Sequence, residues 1–370
     1  MRKLICLLSL AASVGCTDLT EHMYNDLNKD NFYTTAAEYE AAFMNQYQFL
    51  RAMSCWNVYY LQELTTDEAC LPQKGRDGYD GGIYQRLHWH TWTTRETIIE
   101  GAWLELYKAV GFCNQIIADM RAADNAILPS DTQQLYIAET RALRAYFYWM
   151  LCDMFGNVPI TESLTEENPS TRSRKEVFEF VERELGEVKE QLLSRSDAGS
   201  YGRFTQEAAL VLLSRLYLNA EVYTGTSRLD DCVTVSRTLL GRGFSLDATW
   251  DAPFVWENES SRENIFVIPY STTFTESDHN SFIIYIMALD SWATEKFNIP
   301  ASAWDGFVCQ PDFFQKYDEA DKRRDATWLY KGNKTNSGGY DVTDAPYNPV
   351  FDEELYSTCL LYTSPSPRDA

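Results

Sequence analysis

The stretch "QRLHWHTWTT" carries the densest chemistry in the chain: His88 and His90 flank Trp89, and Trp92 follows. Two histidines at this spacing could begin a metal site, but zinc needs three or four ligands, and no further His, Glu or Asp stands at ligand spacing. The indoles offer a different chemistry. Each has a broad apolar face and an edge N–H, suited to stacking on a ligand ring without any covalent step. In a helical turn Trp89 and Trp92 would share a face; in a strand they would point apart. The same rings could instead anchor this segment to the rest of the protein. Tyr79 in "RDGYDGG" and Trp292 in "ALDSWATEKFNIP" are further aromatic candidates. Asn57, Asp67 and Arg76 are the polar side chains placed to hydrogen-bond beside them.

Catalytic patterns are weaker. "AGSYG" at 198–202 approximates G-x-S-x-G, but Ala198 replaces the first glycine and no strand precedes it, so Ser200 reads as a turn residue. "DGYDGG" is too short for an EF-hand loop; acidic loops of this kind sometimes hold Ca²⁺, and no other cofactor is indicated. With 54 Asp and Glu residues, close carboxylate pairs arise by chance and do not signal glycoside hydrolysis. The nine cysteines include no CxxC pair and no zinc spacing. Cys113 and Cys152 fall in apolar helical patterns and read as buried thiols. Cys55 and Cys70 could bridge in an oxidising compartment. The formal net charge of −22 argues against nucleic acid, whose binding depends on Lys and Arg neutralising phosphates.

The elements that must hold these residues are mostly helical through the first 240 positions. "TTAAEYEAAFMNQYQFLRAM" places Tyr39, Ala42, Phe43, Tyr47 and Leu50 on one stripe. "RETIIEGAWLELYKAVGFCNQIIADM" continues the pattern, with Trp103 and Leu106 on its buried side. The next helix begins at "PSDTQQLY", where Ser130 and Gln133 form a capping-box pattern, and it closes at Gly156. "SRKEVFEFVERELGEVKEQLL" and "GRFTQEAALVLLSRLYLNAEVY" follow, the second with Thr205 as N-cap, and "DCVTVSRTLLGRG" gives one more helix. "NIFVIPY" reads as a short strand. Long helices joined by short turns predict tetratricopeptide-like hairpins, with an irregular helical bundle as the other solution. Between and after them lie loops rich in Gly, Pro and aromatics, notably residues 54–94 and the region from about 246.

The N-terminus opens with Arg2 and Lys3, a short apolar run and small residues ending at Gly15 and Cys16. This describes an export signal over residues 1–15. The run is too short to span a bilayer. A signal that ends in Cys resembles a bacterial lipobox, which makes Cys16 the expected lipidation point, although Ser13 stands where Leu is usual.

Several segments then occur in an order that resembles SusD/RagB nutrient-binding lipoproteins of the Bacteroidetes. "FYTTAAEYEAAF" is similar to their first helix. Trp103, Tyr107 and Asn114 match a Trp–Tyr–Asn helix, and "AETRALRAYFYWMLCDMFGNVPI" matches the signature helix and turn. Gly202, Arg203, Thr205 and Arg215 fit a Gly-Arg-x-Thr helix, "ENIFVIPY" resembles the family's strand, and Tyr317, Asp321 and Arg323 fit a later element. The resemblance covers about residues 16–330. It implies a mainly α fold: tetratricopeptide-like helical hairpins over 16–245, with the inserted loop 54–94, packed with an irregular, loop-rich ligand-binding subdomain that starts in 246–358. It also implies a non-catalytic outer-membrane protein, lipid-anchored and surface-exposed. Such a protein binds oligosaccharides and passes them to a SusC-type TonB-dependent transporter. On that reading Trp89, Trp92, Tyr79 and Trp292 stack on sugars, and Asn57, Asp67 and Arg76 bond hydroxyls.

Two other functions compete: a lipid-anchored glycan-degrading enzyme, and a helical-repeat scaffold that binds only proteins. The tail "CLLYTSPSPRDA" resembles a sequencing adapter translated in frame, so residues 359–370 are expected to be artefactual and the subdomain before them incomplete.

Overall fold

A computed structural model describes residues 33–53, 56–73, 78–165, 168–255, 258–270, 289, 295–298, 304 and 306–328. Cys16, Cys55, Arg76, Trp292 and the tail lie outside the described residues.

The chain enters through α1 (Ala36–Asn45) and α2 (Gln48–Met53). Thr35 and Glu38 close a reciprocal capping box at the start of α1, satisfying amides that the first turn leaves open. The expected single stripe is thus two helices with a bend at Gln46–Tyr47, yet Tyr39, Phe43, Tyr47 and Leu50 are all buried. After α3 (Asn57–Glu63) and α4 (Ile83–His88), the long helices α5 (Thr97–Ala122) and α6 (Ser130–Met154) pack along their lengths. Buried Ala138, Ala142 and Ala145 put little bulk on the packed side of α6. Next, α7 (Arg174–Val188) lies on α6, and α8 (Gln206–Leu218) packs with α10 (Leu229–Leu240), with short α9 (Ala220–Thr224) between them. These successive pairs are the expected helical hairpins.

Cys113 and Cys152 are buried free thiols, as their helical positions predict. Burial pushes Cys113 up to about 12 and Cys152 up to about 11, so both stay protonated and inert. The Trp–Tyr–Asn helix has a visible purpose. From α5, the Tyr107 hydroxyl donates to the Pro159 carbonyl at 2.7 Å, and the Asn114 amide donates to the Thr161 carbonyl at 3.1 Å. These bonds clamp the turn that leaves α6. Gly156 stands there at φ +75°, and its amide returns to the Leu151 carbonyl at 3.1 Å, a left-handed helix stop. The strands β2 (Val158–Pro159) and β3 (Thr171–Arg172) pair antiparallel just beyond it.

Two local expectations are corrected. Ser130 is already the first residue of α6, and its hydroxyl does not cap it. The Gln133 side chain turns back to the Ala123 and Leu128 carbonyls at 3.3 and 2.8 Å, tying down the preceding loop. "NIFVIPY" forms no strand over residues 264–270, and among the described residues no strand pairs with it. It runs without regular structure, with Phe266 and Ile268 packed on the main core. Thr205 caps α8 as predicted, and Ser200 sits in a turn, donating to the Arg195 carbonyl at 2.8 Å.

The segment expected as an inserted loop carries α3, α4 and a core of its own. Tyr60, Leu64, Ile83, Leu87, Ile98 and Phe307 form a second hydrophobic cluster, separate from the main one. Phe307 arrives from far along the chain because β1 (Ala69–Cys70) pairs antiparallel with β4 (Val308–Cys309). Short helices α11 (Pro311–Phe314) and α12 (Lys322–Thr327) follow, the second capped by Asp321.

Candidate functional site

The second cluster is the base on which exposed aromatics stand. Tyr60 stacks on Phe307 with ring centroids 5.5 Å apart and meets Tyr84 at 5.7 Å. These rings explain part of the aromatic excess as packing rather than display. Above them, α4 ends at Trp89, whose amide returns to the Gln85 carbonyl at 2.9 Å. His90 then takes φ +54°, a left-handed conformation uncommon outside glycine, and turns the chain so that it leaves the helix. The Thr91 amide closes this turn on the Arg86 carbonyl at 2.9 Å. Trp89 and Trp92 are left 40% and 42% exposed, two indoles carried on one short turn.

Two braces fix the turn. The His90 Nε2 lies 2.9 Å from the Thr65 carbonyl, and its ring stands 5.2 Å from that of Trp92. Arg86 forks onto Glu96 at 2.6 and 2.8 Å and donates to the Gly81 carbonyl at 2.7 Å. The bonds from Arg86 hold the Glu96 carboxyl below the usual range. The turn after α3 serves as a hub. Its Thr65 carbonyl takes His90, its Thr66 carbonyl takes the Gln310 side chain at 3.4 Å, and the Glu68 carbonyl takes the Gln310 amide at 3.0 Å.

Gln310 also reaches His88 at 3.4 Å. Burial lowers the His88 imidazole, the neighbouring His90 lowers it further, and Asp67 partly offsets both. Asp67 is exposed, and its charge is felt at His88, two residues before His90. Burial raises the Glu63 carboxyl, and the Glu68 charge adds to the rise.

The remaining candidates are placed differently. Asn57 points inward: its side-chain amide donates to Glu105 at 2.7 Å, and it fills the space over Gly101 of α5. Tyr79 is 53% exposed but stands before the opposite, N-terminal end of α4. Trp103 and Trp149, read as core residues, are partly buried and pack on the main cluster.

Sequence reasoning passed over a second aromatic arm. Trp304, 53% exposed, lies 6.2 Å from Trp56 at the start of α3, and Trp56 meets Tyr60 edge-on at 6.4 Å. Trp304 sits in "ASAWDGFV", a loop context like that of Trp292, so the same criterion would have selected it. Among the described residues, no group of three or more His, Cys, Asp or Glu could hold a metal ion. What the arrangement offers is a set of flat apolar faces, rigidly mounted and edged by imidazole and carboxylate acceptors.

Comparison with known proteins points the same way. A family designated SusD-like and described as starch-binding, associating with the outer membrane, matches residues 8–218. The starch-binding protein SusD of Bacteroides thetaiotaomicron is 30% identical over 124 residues, 34% of this chain and 22% of that protein. A SusD-like protein of Bacteroides ovatus is 24% identical over 313 residues, 82% of this chain and 54% of its own length. The chain thus spans only part of the length of these relatives. Among solved structures, surface glycan-binding protein A of Bacteroides thetaiotaomicron in complex with laminarihexaose superposes with a TM-score of 0.64 at 20% identity. That likeness covers 79% of this chain and 63% of the other.

Proposed function

Because this chain belongs to the SusD-like family, starch-binding and associating with the outer membrane, we propose that it binds oligosaccharides or polysaccharides at the cell surface without cleaving them. The observation that carries this reading is the braced turn bearing Trp89, His90 and Trp92. Sugar rings have apolar faces that stack on indoles and hydroxyls that bond edge acceptors, and a platform fixed before binding loses little entropy when it is occupied. Two of the buried carboxylates, Glu139 and Glu184, are committed to arginines inside the helical region and serve packing there. In the same reading, lipid on Cys16 tethers the protein to the outer membrane, and the helical hairpins dock a SusC-type TonB-dependent transporter that receives the glycan.

Native gels containing soluble glycans, beginning with starch and laminarin, test the proposal together with a reducing-end assay. Retardation without new reducing ends is expected. Release of reducing ends by the purified chain would make it a hydrolase, and migration unaffected by any glycan would favour a protein-binding scaffold.

A further inference from the structure

The Trp89–Trp92 turn holds one group whose bonding capacity is only half used. His90 approaches the Thr65 carbonyl through Nε2 at 2.9 Å. A carbonyl only accepts, so Nε2 must carry the hydrogen, and in the neutral ring Nδ1 then presents a lone pair. Among the described residues Nδ1 has no partner, and His90 is exposed. The ring stands 5.2 Å from Trp92 and is tilted by 52° to it, so a molecule resting on the indole meets the imidazole edge. The backbone is committed to the same end. Only three non-glycine residues in the described chain have positive φ, and His90 is the one between the two exposed tryptophans. Backbone strain of this kind is retained where the surroundings over-determine it, commonly at ligand sites.

Resting on the glycan-binding reading above, we propose that His90 is a ligand-contacting residue: its Nε2–H tethers the turn to Thr65 while Nδ1 accepts a hydrogen bond from a hydroxyl of the sugar stacked on Trp92. This narrows the ligand class. The sugar over Trp92 must present a free hydroxyl at the imidazole edge, and a carboxylate there would meet a lone pair. While the ring is neutral, the site therefore favours a sugar that places a free hydroxyl at this edge over one that places a carboxylate there.

The test uses the whole chain with laminarihexaose and maltoheptaose as probes, by calorimetric titration. Wild type binds at least one, and Trp92→Ala weakens that binding. His90→Phe keeps a ring beside Trp92 but removes both nitrogens, and is expected to weaken binding about five- to tenfold. His90→Asn, which tolerates the left-handed backbone and restores a donor and an acceptor, regains part of the loss. His90→Gly relieves the backbone and still lacks both nitrogens, so it stays as weak as His90→Phe. Near-ultraviolet circular dichroism confirms that each variant keeps its tertiary packing. If Trp92→Ala weakens binding while His90→Phe and His90→Gly bind like wild type, the role of His90 is overturned and the glycan reading stands. If wild type binds neither probe nor any soluble glycan, both fall together.

Discussion

Arg203 lays its guanidinium on the carboxylate of Glu139, with Nη2 2.5 Å from Oε2 and Nε 3.0 and 3.1 Å from the two oxygens. Glu139 has no exposed surface, and burial raises its pKa despite the arginine. The Tyr47 hydroxyl donates to the same carboxylate and accepts the Phe204 amide at 2.8 Å. Phe43 and Tyr136, stacked 4.0 Å apart, face the guanidinium at 5.1 and 5.7 Å. One ion pair therefore joins the α1–α2 bend, α6 and the start of α8.

Arg203→Ala is expected to destabilise the fold by about 3–5 kcal/mol, since it strands a buried carboxylate without its counter-charge. The double variant Arg203→Met with Glu139→Leu removes both charges and should lose less than Arg203→Ala alone. Urea unfolding midpoints of the three proteins measure this; equal losses would mean that side-chain packing, not charge, is what the pair supplies.

Gly202, beside that arginine, makes a second prediction. It stands at φ +75°, and a Cβ there would lie 2.7 Å from Cγ of Pro269. The Pro269 carbonyl is in turn held by Arg51 at 3.1 and 3.2 Å. Gly202→Ala should cost about 1–3 kcal/mol, through both the strained backbone and the displaced proline. Gly186, inside α7 with nothing near its Cβ position, should behave oppositely: Gly186→Ala is expected to stabilise by about 0.5–1 kcal/mol. Thermal melts of the two variants against wild type give the comparison.

The helical half was legible because its signal is local. Val177, Phe178, Val181, Leu185 and Val188 recur at helical spacing, and all are buried. The site was half legible for the opposite reason. Its exposed indoles stand out by composition, but their base is assembled from Tyr60, Ile83 and Phe307, the last of which is delivered beside β4, paired with β1. No spacing rule links residues so far apart. His90 was visible only as half of an HxH pair; its use depends on a left-handed φ and a carbonyl on another helix end. Asn57 shows the converse: a polar residue in a seemingly loop-like stretch turned out to face Glu105.

Trp92→Ala and Trp304→Ala separate binding from folding. Both rings are substantially exposed, so truncation should change stability by less than about 0.5 kcal/mol. Stacked aromatic anchors typically lose more than about 1 kcal/mol of binding when truncated, a fivefold or larger weakening. Melting temperatures unchanged and glycan affinity reduced is the expected pair of results. Loss of stability without loss of affinity would assign these indoles to packing.

The pH response of the site should follow His88. Its imidazole is half-buried against Gln310, and burial, then His90, bring its pKa below the ordinary 6.5 while Asp67 partly offsets them. Between 6.5 and the lower folded value, the unfolded chain binds more protons than the native one, so stability rises with pH across that window. The contribution is fully present above 6.5 and is lost as pH falls towards the folded value. Glu63 acts in the opposite sense. Its carboxyl is raised above the ordinary 4.5, so its own protonation favours the native state as pH falls through the range above that value. A titration of wild type alone would mix the two. Hydrogen exchange of the 83–92 amides at pH 7.5, 6.5 and 5.5 should show protection falling with acid in wild type. In His88→Gln, which keeps a hydrogen-bonding side chain but cannot take up the proton, that fall should flatten or reverse through Glu63. Identical pH profiles in the two proteins would remove His88 as the titrating group.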